Sequence, residues 1–333
     1  MPSPVSRKPL VLCCFALAAL VLAGGAIAGN GGVAPQGPAS PNATGIRDIY
    51  WLILAISGGI FVLVEGSLLL FIFRFRSGGR GRDVEGPQIH GATRLELIWT
   101  AVPVLILVLI VIFVFWKLPG IKNVPSASAG DKLNVHVEGR QFYWNFTYPN
   151  GVIQVGRMRV PADRVVTLKI TSPDVDHSWW IPSLGGKFDA IPGKTNHTWF
   201  RAKRTGTYKG QCGEFCGIQH AEMRAAVEAL SPSDFDRWLS SEAAAQEEGS
   251  SDLGKMTFEN ACAPCHGLQG QGLVGPKLAG NTLTADAKAI EHLLRNGGIK
   301  MPAVGRGWTD RQMSALTAYL KRRFAPKGAA SGG

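Results

Sequence analysis

The chain has 333 residues, which is enough for about two domains at roughly 150 residues each. Hydrophobic residues make up 46% of the chain and charged residues 18%, whereas an ordinary soluble domain has about 25% charged residues. This composition excludes a disordered chain, a collagen-like chain and a small disulfide-dense chain. The net charge is +11, and the excess is concentrated in residues 249–333, which carry 11 basic and 5 acidic residues. A charge of this size suggests a nucleic-acid partner unless its position along the chain explains it otherwise.

Residues 1–28 have the pattern of a secretory signal peptide. A basic pair precedes the apolar run Leu10–Ala23, whose 14 residues fall short of the roughly 20 that a membrane span needs. The small residues of Ala26–Ala28 supply a cleavage site. Cys13 and Cys14 lie inside the run and would leave with it, although lipidation of one of them is an alternative that the sequence leaves open.

Two apolar stretches within residues 46–118 predict a transmembrane helical hairpin. Ile49–Phe73 has Glu65 as its only charge, and Leu97–Trp116 has none. The connection between them carries five arginines and two acidic residues over residues 74–94, and short arginine-rich loops stay in the cytoplasm. The chain after Lys117 is therefore predicted to lie outside the cell membrane. Topology explains these arginines. The excess in residues 249–333 belongs to a further domain, where basic charge can steer an acidic partner. No nucleic-acid partner is therefore predicted.

Residues 131–230 change to short β-rich runs separated by Gly, Pro, Asn and Asp. Strands are predicted at Leu133–Val137, Val152–Val155, Val165–Thr171, Thr195–Arg201 and Met223–Leu230, with an aromatic stretch at 141–148. Many short strands at this spacing indicate an all-β sandwich or barrel.

One loop of this domain holds Cys212, Cys216, His220 and Met223, and His177 lies upstream of it. Thiolate, imidazole and thioether groups suit copper, and a mononuclear blue-copper site needs only one of the two cysteines. The second cysteine adds a bridging thiolate, which allows two copper ions to share the pair with one histidine each. The alternatives are a disulfide between the two cysteines and a zinc site, of which methionine is not a usual ligand.

These residues resemble the copper-A domain of cytochrome c oxidase subunit II over residues 46–230. The motifs that carry the resemblance are His90-Gly91, Glu96–Pro103, Gln141–Trp144, Asp176–Pro182 and the loop Cys212–Met223. The resemblance implies a cupredoxin-like fold. It also implies copper ligands at His177, Cys212, Cys216, His220 and Met223, with the backbone carbonyl of Glu214 as a further ligand.

The resemblance implies roles for residues beyond the copper ligands. The side chain of Glu214 matches one that reaches a magnesium ion at the border with subunit I. Glu96 matches the acid at the mouth of a proton channel that rises into subunit I. Phe142 and Trp144 are candidates for the electron path. The family usually has Trp at the position of Phe142, where electrons from soluble cytochrome c come in, so this chain departs from the standard docking route.

Residues 240–251 are small and charged and are predicted to be a linker, and residues 252–325 form a further, all-α domain. Cys262-Ala263-Pro264-Cys265-His266 is the attachment motif of c-type haem, in which two thiols form thioethers and the histidine is an axial ligand. A redox-active pair does not require the histidine. A zinc ribbon needs a second cysteine pair, and this segment of the sequence has none.

The second axial haem ligand is predicted to be Met301, because it lies in a glycine-containing loop downstream of the motif. Met313 is the rival, but it shares the apolar face of a predicted helix. Thr309 and Gln312 form a capping box for that helix, with Trp308 and Met313 as its hydrophobic staple.

The last segment resembles a small class I cytochrome c. Together the two resemblances indicate subunit II of a bacterial caa-type oxidase with a fused cytochrome c domain. They imply that electrons pass from cytochrome c or another carrier to haem c, then to the copper pair and then to haem in subunit I, with subunit III as a further partner. The alternatives are a copper-free quinol oxidase subunit, a nitric oxide reductase subunit and a free-standing membrane-anchored carrier. The intact copper motif argues against the first.

Overall fold

The computed structural model describes residues 36–75, 88, 90–126 and 132–326. The predicted signal peptide and three of the five arginines between the predicted spans lie outside these ranges. The chain forms two compact units. The first is built on two long helices and includes residues 44–121, and the second combines residues 37–43 with the chain from residue 122 onward.

The first unit contains helices α1 (Pro41–Arg74) and α2 (Thr93–Lys122), whose mean hydropathy reaches 2.2 and 3.1. Each is long and apolar enough to cross a bilayer, as the sequence predicts. Near their extracytoplasmic ends, the Lys117 ammonium lies 2.7 Å from Asp48 Oδ2 and 4.8 Å from the centre of the Trp116 ring. This ion pair joins the two helices at that end of the hairpin.

The second unit begins with a β-sandwich, for which the described residues contain ten strands in two five-stranded sheets. The first sheet has the order β3-β2-β1-β5-β8, with β1 Lys132–Arg140, β2 Tyr143–Thr147, β3 Ile153–Val155, β5 Val165–Thr171 and β8 Asn196–Phe200. The second has the order β4-β10-β9-β6-β7, with β4 Arg157–Pro161, β6 His177–Trp180, β7 Phe188–Ala190, β9 Gly206–Cys212 and β10 Arg224–Leu230.

Buried and less buried side chains alternate along the strands, so that the core of the sandwich lies between the two sheets. On β1, Leu133, Val135 and Val137 are buried, and the residues between them point the other way. Trp144 and Trp179 meet edge to face in this core, with ring centres 5.1 Å apart. The all-β prediction is confirmed. The predicted strands each have a counterpart, whereas β4, β6, β7 and β9 are additional and either short or interrupted by glycine.

Helix α3 (Pro232–Glu248) follows the sandwich and changes the interpretation of residues 240–251. The predicted linker is helical up to Glu248, because its run of alanines has high helix propensity and Gly249 ends the helix in the left-handed conformation. The buried Gln246 side chain accepts from the backbone N–H of Ile153 at 3.0 Å and donates to its carbonyl at 2.8 Å. The connection is therefore packed against the sandwich rather than extended.

The C-terminal helical domain is all-α, as predicted. Its first helix α4 (Leu253–Thr257) continues through a π-helical turn at Phe258–Cys262 into α5 (Ala263–His266), and α6 (Ala287–Asn296) and α7 (Asp310–Phe324) complete it. Phe258, Leu294, Met313 and Leu316 are buried in its core. The Thr309 side chain accepts from the backbone N–H of Gln312 at 3.2 Å, which forms the predicted N-cap of α7.

The helical domain and the sandwich share a buried interface within the second unit. Tyr143 belongs to the same apolar cluster as Trp308, whose Nε1 donates to the tyrosine hydroxyl at 2.8 Å. The Arg140 side chain is almost fully buried, and its Nη1 donates to the carbonyl of Arg306 at 2.7 Å. Gln312 Nε2 lies 3.4 Å from Asn145 Oδ1, so this glutamine reaches the sandwich instead of completing the predicted capping box.

Candidate copper and haem sites

His177, Cys212 and Cys216 form a buried cluster in which the candidate ligand atoms lie within 4.8 Å of one another. His177 begins β6 and Cys212 ends β9, and these strands pair antiparallel with Trp179 opposite Cys212. Sheet pairing therefore brings together residues that are far apart in sequence. Cys216 follows in the loop after β9.

The other predicted ligands lie around the two sulfurs. His220 Nδ1 and Met223 Sδ are each 3.7 Å from Cys216 Sγ, and Met223 is fully buried. The carbonyl oxygen of Glu214 lies 3.2 Å from Cys212 Sγ. Both cysteines are free thiols. The whole predicted donor set converges at one place, and its sulfur, imidazole and carbonyl groups fit copper.

The carboxylate of Asp174 fixes the orientation of the His177 ring through the nitrogen that faces away from the cysteines. His177 Nε2 lies 2.9 Å from Asp174 Oδ1, while Nδ1 faces Cys212 Sγ at 4.0 Å. Burial alone would raise the pKa of Asp174, but the hydrogen bonds from His177 and from the backbone N–H groups of Gln141 and Val175 outweigh it and lower that pKa. A carboxylate on the outer nitrogen of a metal-binding histidine fixes the ring and raises its basicity.

The two thiols differ in acidity. Burial, reinforced by the neighbouring Cys212, raises the pKa of Cys216 to about 12. Burial alone would also raise the pKa of Cys212. The hydrogen bond of this thiol with His177 and its backbone hydrogen bonds outweigh burial and lower the pKa to about 7. Because metals bind thiolates, an ion that uses both sulfurs has to displace the proton of Cys216.

The end of β1 and the turn that follows it support the cluster. Gly139 packs so closely that a Cβ there would lie 2.9 Å from Cβ and Cγ of His177. Gln141 Nε2 donates to the carbonyl of Cys216 at 2.6 Å. Of the predicted electron-path residues, Trp144 is buried with its ring centre 6.1 Å from that of His177, and Phe142 packs partly buried against the sandwich core.

Asp174 and Gln141 support the candidate ligands, and neither was predicted to do so from the sequence. Asp174 had a detectable signal, since a carboxylate three residues before a candidate histidine ligand is a candidate partner for its outer nitrogen. Gln141 belongs to the motif Gln141–Trp144, but that motif does not show its bond to Cys216, because the bond depends on how the turn packs.

The haem-attachment motif lies on α5 and the π-helical turn before it. Cys262 is buried, which raises the pKa of its thiol to about 12, and Cys265 is partly exposed. His266 Nδ1 lies 2.7 Å from the carbonyl of Pro276, so the ring presents Nε2 to a metal. Gly275 permits this packing, because a Cβ there would lie 2.7 Å from His266 Cε1.

The two methionines considered as haem ligands have different surroundings. Met313 lies in the core of the helical domain and is 2% exposed, whereas Met301 lies in a loop at the edge of that core. Leu273, Val274 and Ile299, on the loops near His266 and Met301, present exposed apolar side chains. Apolar surface of this kind fits a porphyrin, and Met301 stays the predicted ligand.

The two acidic residues assigned by resemblance are accessible. Glu214 is exposed in the loop after β9. Glu96 lies in the first turn of α2, where its Oε1 accepts from the backbone N–H of Ala92 at 3.1 Å. Their roles toward magnesium and a proton channel stay predictions.

Three family models match the chain in succession. Residues 28–116 match the transmembrane domain of cytochrome c oxidase subunit II, residues 152–230 match its periplasmic domain, and residues 250–320 match subunit III of the cbb3-type cytochrome c oxidase. With the two apolar helices, these matches indicate a membrane-anchored protein whose later domains are extracytoplasmic.

Individual relatives agree with these matches. The chain is 31% identical over 310 residues to cytochrome c oxidase subunit 2 of Alkalihalophilus pseudofirmus, covering 85% of this chain and 89% of the relative. It is 32% identical to the subunit of the same name from Cereibacter sphaeroides, covering 63% and 80%. The solved periplasmic domain of cytochrome oxidase subunit II from Bradyrhizobium japonicum is 33% identical, with a TM-score of 0.34 and coverage of 36% and 96%. The chain belongs to the cytochrome c oxidase subunit II family and carries a cytochrome domain after its periplasmic domain.

Proposed function

We propose that this chain takes electrons at a haem c in its helical domain and passes them through a copper pair in the sandwich to haem in subunit I, where oxygen is reduced. The observation that carries the proposal is the buried interface between the sandwich and the helical domain. Because the two candidate cofactor sites belong to one compact unit, an electron moves between them without a diffusional encounter.

In this proposal the copper pair is held by the side chains of His177, Cys212, Cys216, His220 and Met223 and the carbonyl of Glu214. Copper supplies one-electron chemistry when bound, and sharing the charge over two metals lowers reorganisation during transfer. The residues of the chain supply a buried, fixed donor set. Asp174 keeps the ring of His177 in one orientation, since its carboxylate is itself anchored by backbone N–H groups.

For the haem, Cys262 and Cys265 form the thioethers, and His266 and Met301 are the axial ligands. The carbonyl of Pro276 holds the imidazole of His266 so that Nε2 is the ligating nitrogen. Ligation by histidine and methionine raises the reduction potential of haem iron, which suits a donor to copper.

The finer assignments belong to the same proposal. The Glu214 side chain contributes to a magnesium site shared with subunit I, and Glu96 opens a proton channel into that subunit. Subunit III completes the complex, and cytochrome c or another carrier delivers electrons to the haem domain. Phe142 and Trp144 are the candidates for the electron path, and the ring of Trp144 lies next to that of the candidate ligand His177.

The proposal is tested by purifying the native complex through this chain. Oxygen uptake with reduced cytochrome c, covalently attached haem and a mixed-valence copper signal are expected together. A complex that reduces nitric oxide but not oxygen would contradict the proposal, and so would a chain that purifies without any partner.

A further inference from the structure

The side chain of Gln219 extends from the loop Cys212–Met223 to the haem-attachment motif. Its Nε2 lies 3.2 Å from the carbonyl oxygen of Pro264 and 3.7 Å from Cys265 Sγ. The next residue in the chain is His220, whose Nδ1 lies 3.7 Å from Cys216 Sγ. Gln219 is thus one peptide bond away from a candidate copper ligand and hydrogen-bonded to a sulfur that would carry the haem.

The chemistry of these contacts fixes the amide orientation. Pro264 offers a carbonyl acceptor and Cys265 a sulfur acceptor, so both require the N–H groups of the glutamine. A reversed amide would place Oε1 against the Pro264 carbonyl, bringing two acceptors together. Oε1 is buried and has no hydrogen-bond partner among the described residues. Thioether formation consumes the thiol proton of Cys265 but leaves its sulfur lone pairs, so the contact is compatible with attached haem.

Other residues hold the two domains together. The bond from Trp308 to Tyr143 and the bond from Arg140 to the carbonyl of Arg306 are formed by β1, β2 and the segment before α7. The shared apolar cluster lies beside them. Gln219 is therefore one of several contacts between the domains, and it is the one that lies between the two candidate cofactor sites.

We propose that Gln219 is a positioning residue for electron transfer, whose amide connects Cys265 Sγ to the backbone of His220. This inference rests on the proposed function. The step moves a single electron: the haem iron is oxidised, the copper pair is reduced, and no covalent bond or proton changes. A route of bonds and hydrogen bonds couples donor and acceptor better than a gap of the same length, so loss of the amide slows the transfer.

The experiment uses the purified complex containing the full chain. A light-activated surface reductant reduces the haem without oxygen, and the haem and copper absorption bands then report the internal transfer rate. Gln219→Leu and Gln219→Met both remove the donor, and the second keeps the unbranched shape. Gln211→Leu is the matched control, because Gln211 is an exposed glutamine that directly precedes Cys212 as Gln219 precedes His220.

The rate is expected to fall several-fold in both Gln219 variants and to stay unchanged in the control. The copper resonance signal, the haem potential and the unfolding midpoint should match wild type throughout. An unchanged rate in a Gln219 variant with intact signals would overturn the inference. A slower rate accompanied by altered copper or haem signals in both variants would also overturn it, because Gln219 would then be structural. A wild-type chain without haem c or mixed-valence copper would instead refute the proposed function.

Discussion

The indole Nε1 of Trp308 donates a 2.8 Å hydrogen bond to the hydroxyl of Tyr143, and both side chains are buried between the helical domain and the sandwich. Their rings meet edge to face with centres 6.5 Å apart. Burial raises the pKa of Tyr143, so its phenol stays neutral and accepts the bond at physiological pH. Tyr143 precedes Trp144, which contacts His177, so the interface is continuous with the surroundings of the copper site.

Tyr143→Phe should weaken the docked state. The change leaves the buried Trp308 N–H without its acceptor, which costs about 1–3 kcal/mol. The measurement is the thermal unfolding midpoint of the haem domain in the full chain. Tyr208→Phe is the control, because the Tyr208 hydroxyl bonds the Arg204 carbonyl on the exposed surface, and its loss should change stability by less than about 0.5 kcal/mol. Equal midpoints for the two variants would show that the interface bond contributes nothing.

Asp174→Asn should weaken copper binding while leaving haem attachment intact. The amide keeps the size of the side chain but removes the charge that holds His177 Nε2, and loss of such a partner lowers metal affinity by about 10- to 100-fold. Copper affinity is measured by competition with a chelator. Asp176→Asn is the matched control, since Asp176 is exposed and also adjacent to His177. Equal affinities in the two variants would contradict the support role of Asp174.

Cys216→Ser should abolish the mixed-valence copper signal, because the serine hydroxyl cannot replace a bridging thiolate. The haem should remain attached with its normal spectrum. Cys262→Ser is the reciprocal variant and should lose one thioether while the copper signal persists. A mixed-valence signal that survives Cys216→Ser refutes the ligand assignment.

Alanine variants of Met301 and Met313 should differ in their haem spectrum and in the stability of the helical domain. Met301→Ala should remove the low-spin methionine-ligated haem spectrum. Met313→Ala should retain that spectrum and destabilise the helical domain by about 2–5 kcal/mol, because Met313 lies in its core. If Met313→Ala loses the spectrum instead, Met313 is the ligand.

Local patterns accounted for much of the fold. Alternation on β1 and β5 identified those strands, because each has one face buried in the sandwich. The motif spacing identified the candidate ligands that converge around Cys212 and Cys216. Strands such as β6 and β9 have weaker alternation, since β6 is nearly all buried and β9 contains Gly210, so periodicity alone missed them.

Long-range contacts were not predictable in the same way. Gln312 satisfied the pattern of a capping box, but a buried acceptor on Asn145 competes for its amide. Residues 240–251 had the composition of a linker, yet Gln246 bonds to an edge strand and fixes the helix there. In both cases the hydrogen-bond partner lies far away in the sequence, so the local sequence pattern could not predict it.

In the proposed function electrons reach haem c before copper, and rapid mixing of the oxidised complex with reduced cytochrome c tests this order. The haem band and the copper band are followed in the same reaction. We expect haem c to be reduced first and copper to follow as haem is reoxidised, and we expect His266→Ala to abolish fast copper reduction. Copper reduction that precedes haem reduction, or that keeps its rate in His266→Ala, would contradict transfer from haem c to copper.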